Sequence, residues 1–292
     1  MTPDDAPADP LAGGRAESHL VAATRIDCWR FGSGAPVLLA HGIPGDCRSL
    51  APVAARLSGQ WEAITVSLPT PLAGERLLRP FGTRGMADDL ADVIEALGAG
   101  PVHLVAWSYS AHAALELAVR RPELVASLFL YEAGFATFVE DPAQLSAIDA
   151  DVRASFGPVE AQVGKGDLLA AVRASIDAAA DEPGYFDRQP AETRAIHEEC
   201  AKGLVALFDQ TPPSALSPAD IAAIACPVTI ARGANTRVSY RLVTDAAAML
   251  MPEARFVIAR WAGHLLPEQD PARFAALVGD HLDQAIRPNI RF

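Results

Sequence analysis

No apolar run in the 292-residue sequence approaches the ~20 residues that a bilayer-spanning helix needs. Cysteine is scarce: Cys28, Cys47, Cys200 and Cys226 lie far apart and form no C-x-x-C pair. Metal-ligand spacing is therefore absent, and structural thiols in a reducing compartment, hence a cytoplasmic chain, are the expectation. Positive charge is in deficit, with 24 Lys and Arg against 36 Asp and Glu and a formal net charge of −12. That balance argues against a nucleic-acid partner and against docking on an anionic membrane surface. No Walker loop, Gly-rich dinucleotide fingerprint or internal repeat is present, so no nucleotide, metal or other cofactor is expected. The first 17 residues have neither a basic n-region nor an apolar core. They read as a disordered lead-in and not as a secretory signal.

Half of the residues are hydrophobic, and the length suits one large α/β domain or two smaller ones. The chain is organised around Ala106-Trp107-Ser108-Tyr109-Ser110. PVHLVA before it is an apolar run of strand length, and AHAALELAVRR after it is built from helix formers and closed by Pro122. A strand that turns through small residues into a helix, with serine at the apex, is a nucleophile-elbow arrangement. Strand and helix approach closely there, so small residues are needed two before and two after the serine. Ala106 and Ser110 fill those places where two glycines are usual.

Taken in order, His19 to Phe31 suggests one or two antiparallel edge strands, and Pro36 to Ala40 a strand buried on both faces. The latter delivers His41-Gly42-Ile43-Pro44-Gly45-Asp46, a loop whose glycines let backbone approach a ligand. A helix over 48–58, a strand over 61–68, an irregular loop over 69–82 and an amphipathic helix over 85–97 follow. After the elbow helix, Val125 to Tyr131 reads as a buried strand with Glu132 directly behind it. From Phe135 to about Asp220 the character turns helical and Ala-rich, punctuated by prolines, and long enough to fold over a sheet. Strand character resumes over 226–231 and 254–259, and helices are expected over 240–251 and 270–286. Alternating strands and helices imply a parallel, doubly wound sheet with ligands at the strand carboxyl ends. His41 to Pro44, Ser108, Glu132, the Gly233 loop and His264 all fall at such ends.

HGIPGD after a strand, AWSYSA at a strand–helix turn, a helical insertion and WAGHLLPEQDP near the C-terminus resemble the α/β-hydrolase fold family over roughly residues 18–286. The resemblance implies a core of 18–134 and 221–292 with a helical cap of 135–220 inserted after the sixth strand. Among its members the chain is similar to cap-bearing, cofactor-free esterases and lactonases, whose caps carry stretches like EPGYFDRQP. HGIP is also shared with haloalkane dehalogenases and epoxide hydrolases, which use aspartate where this chain has Ser108. The order nucleophile, acid, histidine is the family's.

On that footing Ser108 is the expected nucleophile and His264 the base that removes its proton. The N–H groups of Tyr109, at a helix N-terminus, and of Ile43 are the expected oxyanion donors. The family's usual acid position falls at Thr236, beside Asn235, and neither ionises. Glu132 is therefore expected to complete the triad, with Glu268 as a rival and Asn235 without any acid as a third arrangement. His41 is implied to organise its loop. His103 and His112 read as structural, and His197 as solvent-facing in a charged helical run. Trp107, Tyr185 and Phe186 read either as walls of a substrate pocket or as core. A carboxylic ester or lactone is the expected substrate, hydrolysed through an acyl-enzyme. Carbon–carbon bond hydrolysis, lyase chemistry and a non-catalytic ligand receptor remain open on the same fold. The sequence leaves the oligomeric state undetermined.

Overall fold

The computed structural model describes residues 9–21, 24–69, 79–213 and 215–286. In chain order the elements are β1 (Arg15–Val21), β2 (Thr24–Phe31), β3 (Pro36–Ala40), α1 (Cys47–Leu57), β4 (Glu62–Val66), α2 (Thr83–Leu97), β5 (Val102–Trp107), α3 (Tyr109–Arg120) and β6 (Val125–Tyr131). An insert of six helices follows: α4 (Pro142–Gly164), α5 (Leu168–Ala180), α6 (Tyr185–Arg188), α7 (Ala191–Glu199), α8 (Lys202–Phe208) and α9 (Pro218–Ala222). The chain closes with β7 (Val228–Gly233), α10 (Val238–Leu250), β8 (Arg255–Ala259), α11 (Leu266–Gln269) and α12 (Pro271–Ile286).

These strands form one eight-stranded sheet in the order β1-β2-β4-β3-β5-β6-β7-β8. The β1–β2 and β2–β4 pairs are antiparallel and the other five are parallel. From β3 the chain runs to β4 on one side and then to β5 on the other. The carboxyl ends of β3 and β5 thus frame the crevice where doubly wound sheets take ligands.

Side chains alternate across a strand, and the central strands are apolar at both parities because both faces are covered. Leu38, Ala40, Leu104, Ala106, Leu128, Leu130 and Ile230 face one layer with residues of α2, α3 and α10. Val37, Leu39, Val105, Trp107, Phe129, Tyr131 and Ala231 face the other with residues of α1 and α12. In β5 all six residues are buried. The strand that carries the serine is therefore fixed from both sides.

The N-terminal boundary and the effect of Pro158 differ most from expectation. The first strand begins at Arg15 and not at His19, because Arg15 to Val21 pair residue by residue with Arg30 to Thr24. The lead-in expected over 1–17 thus ends inside a strand, and its first eight residues lie outside the described ones, as does most of the loop expected over 69–82. Pro158 does not interrupt the insert: α4 runs through it, at the loss of one backbone hydrogen bond. Among the described residues no helix is long and apolar enough to cross a membrane. All four cysteines are unpaired thiols, and burial pushes Cys28 and Cys200 up to about 12, where they are unreactive.

Candidate active site

Ser108 occupies the single residue between β5 and α3, with φ 62° and ψ −119°. A non-glycine residue there is strained by about 1–3 kcal/mol, held by the buried strand before it and the helix after it. The turn is as tight as the small flanking residues suggest. A Cβ on Gly42 would stand 3.2 Å from the Ser108 Cβ, tighter than an ordinary contact, so glycine there eases the approach of the 41–46 loop to the elbow. Ala106 is fully buried, and Ser110 donates its hydroxyl to the Ala40 carbonyl at 2.8 Å. The serine that replaces the second glycine thus ties the elbow to β3, and its hydroxyl is engaged away from Ser108.

His264 arrives from the loop after β8. Its Nε2 accepts from the Ser108 hydroxyl at 2.9 Å, and its Nδ1–H donates to Glu132 Oε2 at 2.7 Å. This tautomer follows from the network, since Glu132 can only accept. Glu132 directly follows β6, is fully buried and sits at φ 52°. Its Oε1 accepts from the Gly233 N–H at 2.7 Å and its Oε2 also from the Thr236 hydroxyl at 2.8 Å. The usual acid position is thus filled by a donor to the acid. A Cβ on Gly233 would lie 2.2 Å from the Ala262 carbonyl oxygen, so this glycine lets the loop bearing His264 pack against β7. Glu268 is elsewhere: it meets His197 at 3.2 Å and not His264.

The imidazole is held on several sides. Tyr240, at the start of α10, stacks on it with centroids 3.7 Å apart and planes 4° from parallel. The Trp107 indole donates to the His264 carbonyl at 2.9 Å, and the Tyr131 hydroxyl to the Gly263 carbonyl at 2.7 Å. Burial raises the Tyr240 phenol well above its ordinary value, so it stays neutral against the ring. Nothing in the local sequence marks Tyr240, which begins a helix far from either motif.

Two cavities meet at Ser108, both walled by Ile43, Ser108, Phe156 and Tyr240. The narrow one, about 30 Å³, adds Gly42, Trp107, Ser175, Ile176, His197 and His264. The wider one, about 270 Å³, opens along Tyr109, Phe135, Val152, Leu207, Phe208 and Gln210. Helices of the insert supply Phe156, Ser175, His197 and Leu207, so its packing shapes both. Trp107 lines the narrow cavity, but Tyr185 and Phe186 line neither. Phe186 is buried inside the insert with Arg173 over its ring, whereas Tyr185 is half-buried, with Arg188 over its ring and its hydroxyl at Gln269 of α11. Phe186 is thus core of the insert, and Tyr185 packs at the seam between the insert and α11.

His41 is buried with Nδ1 2.7 Å from the Gly42 carbonyl, while its Nε2 accepts from the Leu68 N–H at 3.1 Å. It ties its loop to the segment after β4, as the resemblance implied. His103 bonds Ser127, and His112 packs between Phe135 and Phe138. The expectation for His197 fails. Its ring is 1 % exposed, because the last turn of α7 folds inward onto the 44–48 loop. Among the described residues no group of three or more His, Cys, Asp and Glu side chains is placed to hold a metal ion.

The model of the alpha/beta hydrolase family matches residues 37–277. This chain belongs to the alpha/beta hydrolase family. The hydrolase is 26% identical over 276 residues to 2-(acetamidomethylene)succinate hydrolase of Mesorhizobium japonicum, covering 89% of this chain and 95% of that one. Its fold is similar to the enol-lactonase from Burkholderia xenovorans, with TM-score 0.72 and 17% identity over 91% of this chain and all of that one. It is also similar to a thermophilic esterase from Thermogutta terrifontis, with TM-score 0.66 and 22% identity over 93% and 99% of the two chains. At these identities the structural likenesses establish the fold of this hydrolase; its chemistry is argued from its own site.

Proposed function

We infer that the protein hydrolyses a neutral carboxylic ester or lactone through an acyl-enzyme formed on Ser108. The observation that carries this is the hydrogen-bonded line from Glu132 through His264 to Ser108, 2.7 and 2.9 Å long, at the junction of the two cavities. Serine is a poor nucleophile until a base removes its proton, and His264 Nε2 is already aligned to do so. As Ser108 Oγ attacks the carbonyl carbon, the proton passes to Nε2, and Glu132 stabilises the imidazolium without taking the proton itself. Tyr240 offers its aromatic face to that cation.

Negative charge then develops on the carbonyl oxygen. Its proposed donors are the N–H groups of Ile43 and Tyr109, neither of which is engaged by an acceptor among the described residues. The Tyr109 N–H also carries the positive end of the α3 dipole. The intermediate collapses, His264 hands its proton to the departing alkoxide, and water repeats the sequence to free the acid and Ser108. In a lactone the alkoxide stays tethered, but the steps are the same. The insert of 135–220 acts here as a cap that sets substrate size.

Substrate charge follows from the walls. The relative from Mesorhizobium is a hydrolase of a succinate, an anion at neutral pH. No arginine or lysine is among the described residues lining either cavity here. An uncharged group with an apolar chain in the wider cleft fits better. A fluorophosphonate should label Ser108, and p-nitrophenyl butyrate should give a burst of one nitrophenol per enzyme or rapid turnover, abolished in Ser108→Ala. p-Nitrophenyl hemisuccinate should be turned over at least tenfold less well in kcat/KM. Labelling at Ser110, or near-full activity in the alanine variant, would refute the assignment.

A further inference from the structure

Each ring nitrogen of His197 faces an atom positioned to accept. Nδ1 lies 3.1 Å from the Pro44 carbonyl oxygen and Nε2 lies 3.2 Å from Glu268 Oε2. A neutral imidazole has one N–H and can serve one of these; an imidazolium serves both. The ring, on α7 of the insert, also forms part of the wall of the narrow cavity.

The contact with Pro44 lies one residue beyond Ile43, whose N–H is an oxyanion donor in the reading above. The same turn of α7 grips this loop twice more. The Cys200 thiol donates to Asp46 Oδ2 at 3.7 Å, and Arg48 bridges Asp46 and Glu199 at 2.6 Å each. Glu268, in turn, belongs to α11, four residues past His264. One buried ring therefore joins the insert, the loop before α1 and the segment after His264.

We propose that His197 is a positioning residue which, as an imidazolium shared between Glu268 and the Pro44 carbonyl, fixes the Ile43 N–H beside Ser108. The proposal rests on the hydrolase reading of Ser108. The groups that face the ring are Glu268 from α11, Asp46 with its partner Arg48, Cys200 from the same turn, Tyr185 beside Glu268, and His264 across the cavity. Burial opposes charge on His197, but the Glu268 and Asp46 carboxylates and the two hydrogen bonds the ring donates together raise its affinity for a proton. The clasp is complete below that raised value. As pH rises through it the ring keeps one N–H, one contact opens, and kcat falls.

Two variants separate the contacts. An Asn amide nitrogen reaches about as far as Nδ1, and a Gln amide about as far as Nε2. His197→Asn combined with Glu268→Gln keeps a donor for Pro44, whereas His197→Gln keeps only the Glu268 contact. On p-nitrophenyl butyrate, His197→Gln should lower kcat about 10- to 100-fold with KM within threefold. This is somewhat less than the ~100- to 1000-fold typical of deleting an oxyanion donor outright. The double variant should recover kcat to within about fivefold of wild type and lose the alkaline fall. Nitrogen-15 spectra of histidine-labelled wild type should show both His197 nitrogens protonated on the acid side of the fall in kcat, and one proton lost across it. Equal losses in the two variants, an effect confined to KM, or a ring with a single protonated nitrogen on that acid side would overturn the proposal. The spectra need no turnover, so a doubly protonated ring in a protein that cleaves no ester counts against the ester reading and not against the clasp.

Discussion

Ser108 and Glu132 both sit at positive φ, 62° and 52°, although neither is glycine. Each pays for its place with backbone strain, and each is then over-determined by neighbours. For Ser108 these are two buried elements; for Glu132 they are the Gly233 amide, the Thr236 hydroxyl and His264. The residue-scale prediction follows from those bonds. In Glu132→Gln the amide can donate to the imidazole and favour the wrong tautomer, so kcat should drop by about 1000- to 10,000-fold with little change in thermal midpoint. Asn235→Ala should stay within threefold, because Asn235 engages Ala262 through its backbone N–H alone. A reversed ranking in steady-state kinetics would remove Glu132 from the triad. Thr236→Val deletes one donor to the acid, and a 3- to 10-fold loss in kcat is expected.

At the scale of elements, the insert is tied to the segment before α10 by a part-buried latch. Asp151 of α4 accepts from Arg237 at 2.8 Å and from the Ser239 amide and hydroxyl at 3.1 and 2.7 Å. Arg237 also reaches Asp181 at the end of α5. Arg237 and Ser239 lead into the helix that carries Tyr240, so the latch couples the placement of α4 to the residue stacked on His264. Losing Asp151 removes the acceptor shared by Arg237 and Ser239, while Arg237 keeps Asp181, so the cost stays below the ~3–5 kcal/mol of breaking a fully buried pair. Asp151→Ala should therefore raise amide hydrogen exchange in α4 by at least tenfold while α2 and α3 stay protected. KM for p-nitrophenyl butyrate should rise as Phe156 loses its fixed place. Unchanged exchange in α4 would show that apolar packing alone retains the insert.

On the scale of the whole molecule, the layer between the sheet and α12 contains a thread of polar groups. His103 Nδ1 meets Ser127 Oγ at 2.7 Å, Ser127 meets His281 Nε2 at 2.8 Å, and His281 Nδ1 meets Thr229 at 2.9 Å. Burial drives His281 down to about 4, and His103 is lowered for the same reason. The unfolded chain binds these protons near pH 6.5 and the folded one does not, so stability is complete above about pH 6.5 and declines toward pH 4. For His281 the loss is up to about 3 kcal/mol. His197 acts in the opposite sense, stabilising below its ordinary value and less above its raised one. Urea unfolding followed by circular dichroism should show a smaller loss between pH 6.5 and pH 4 in His281→Gln than in wild type. An unchanged slope would assign the acid sensitivity to other groups.

The local physics of the sequence was sufficient wherever a pattern repeats over one element. β6 begins and ends where its apolar run does, and the elbow at Ser108 follows from a buried strand meeting an Ala-rich helix through small residues. The burial of Glu132 was legible too, since a carboxylate directly behind a buried strand has no surface reason to be there. Tertiary packing decided the rest. Tyr240 and Thr236 came to the site only because the loop after β7 lies against the loop after β8, and no periodicity encodes that meeting. Phe186 turned into the insert, Tyr185 turned toward α11, and His197, in a helix written mostly in charge, turned out of solvent. A short amphipathic helix specifies which of its faces is apolar, but which neighbour covers a residue depends on how the insert docks. Docking is set by contacts such as Asp151 to Arg237, whose partners stand 86 residues apart.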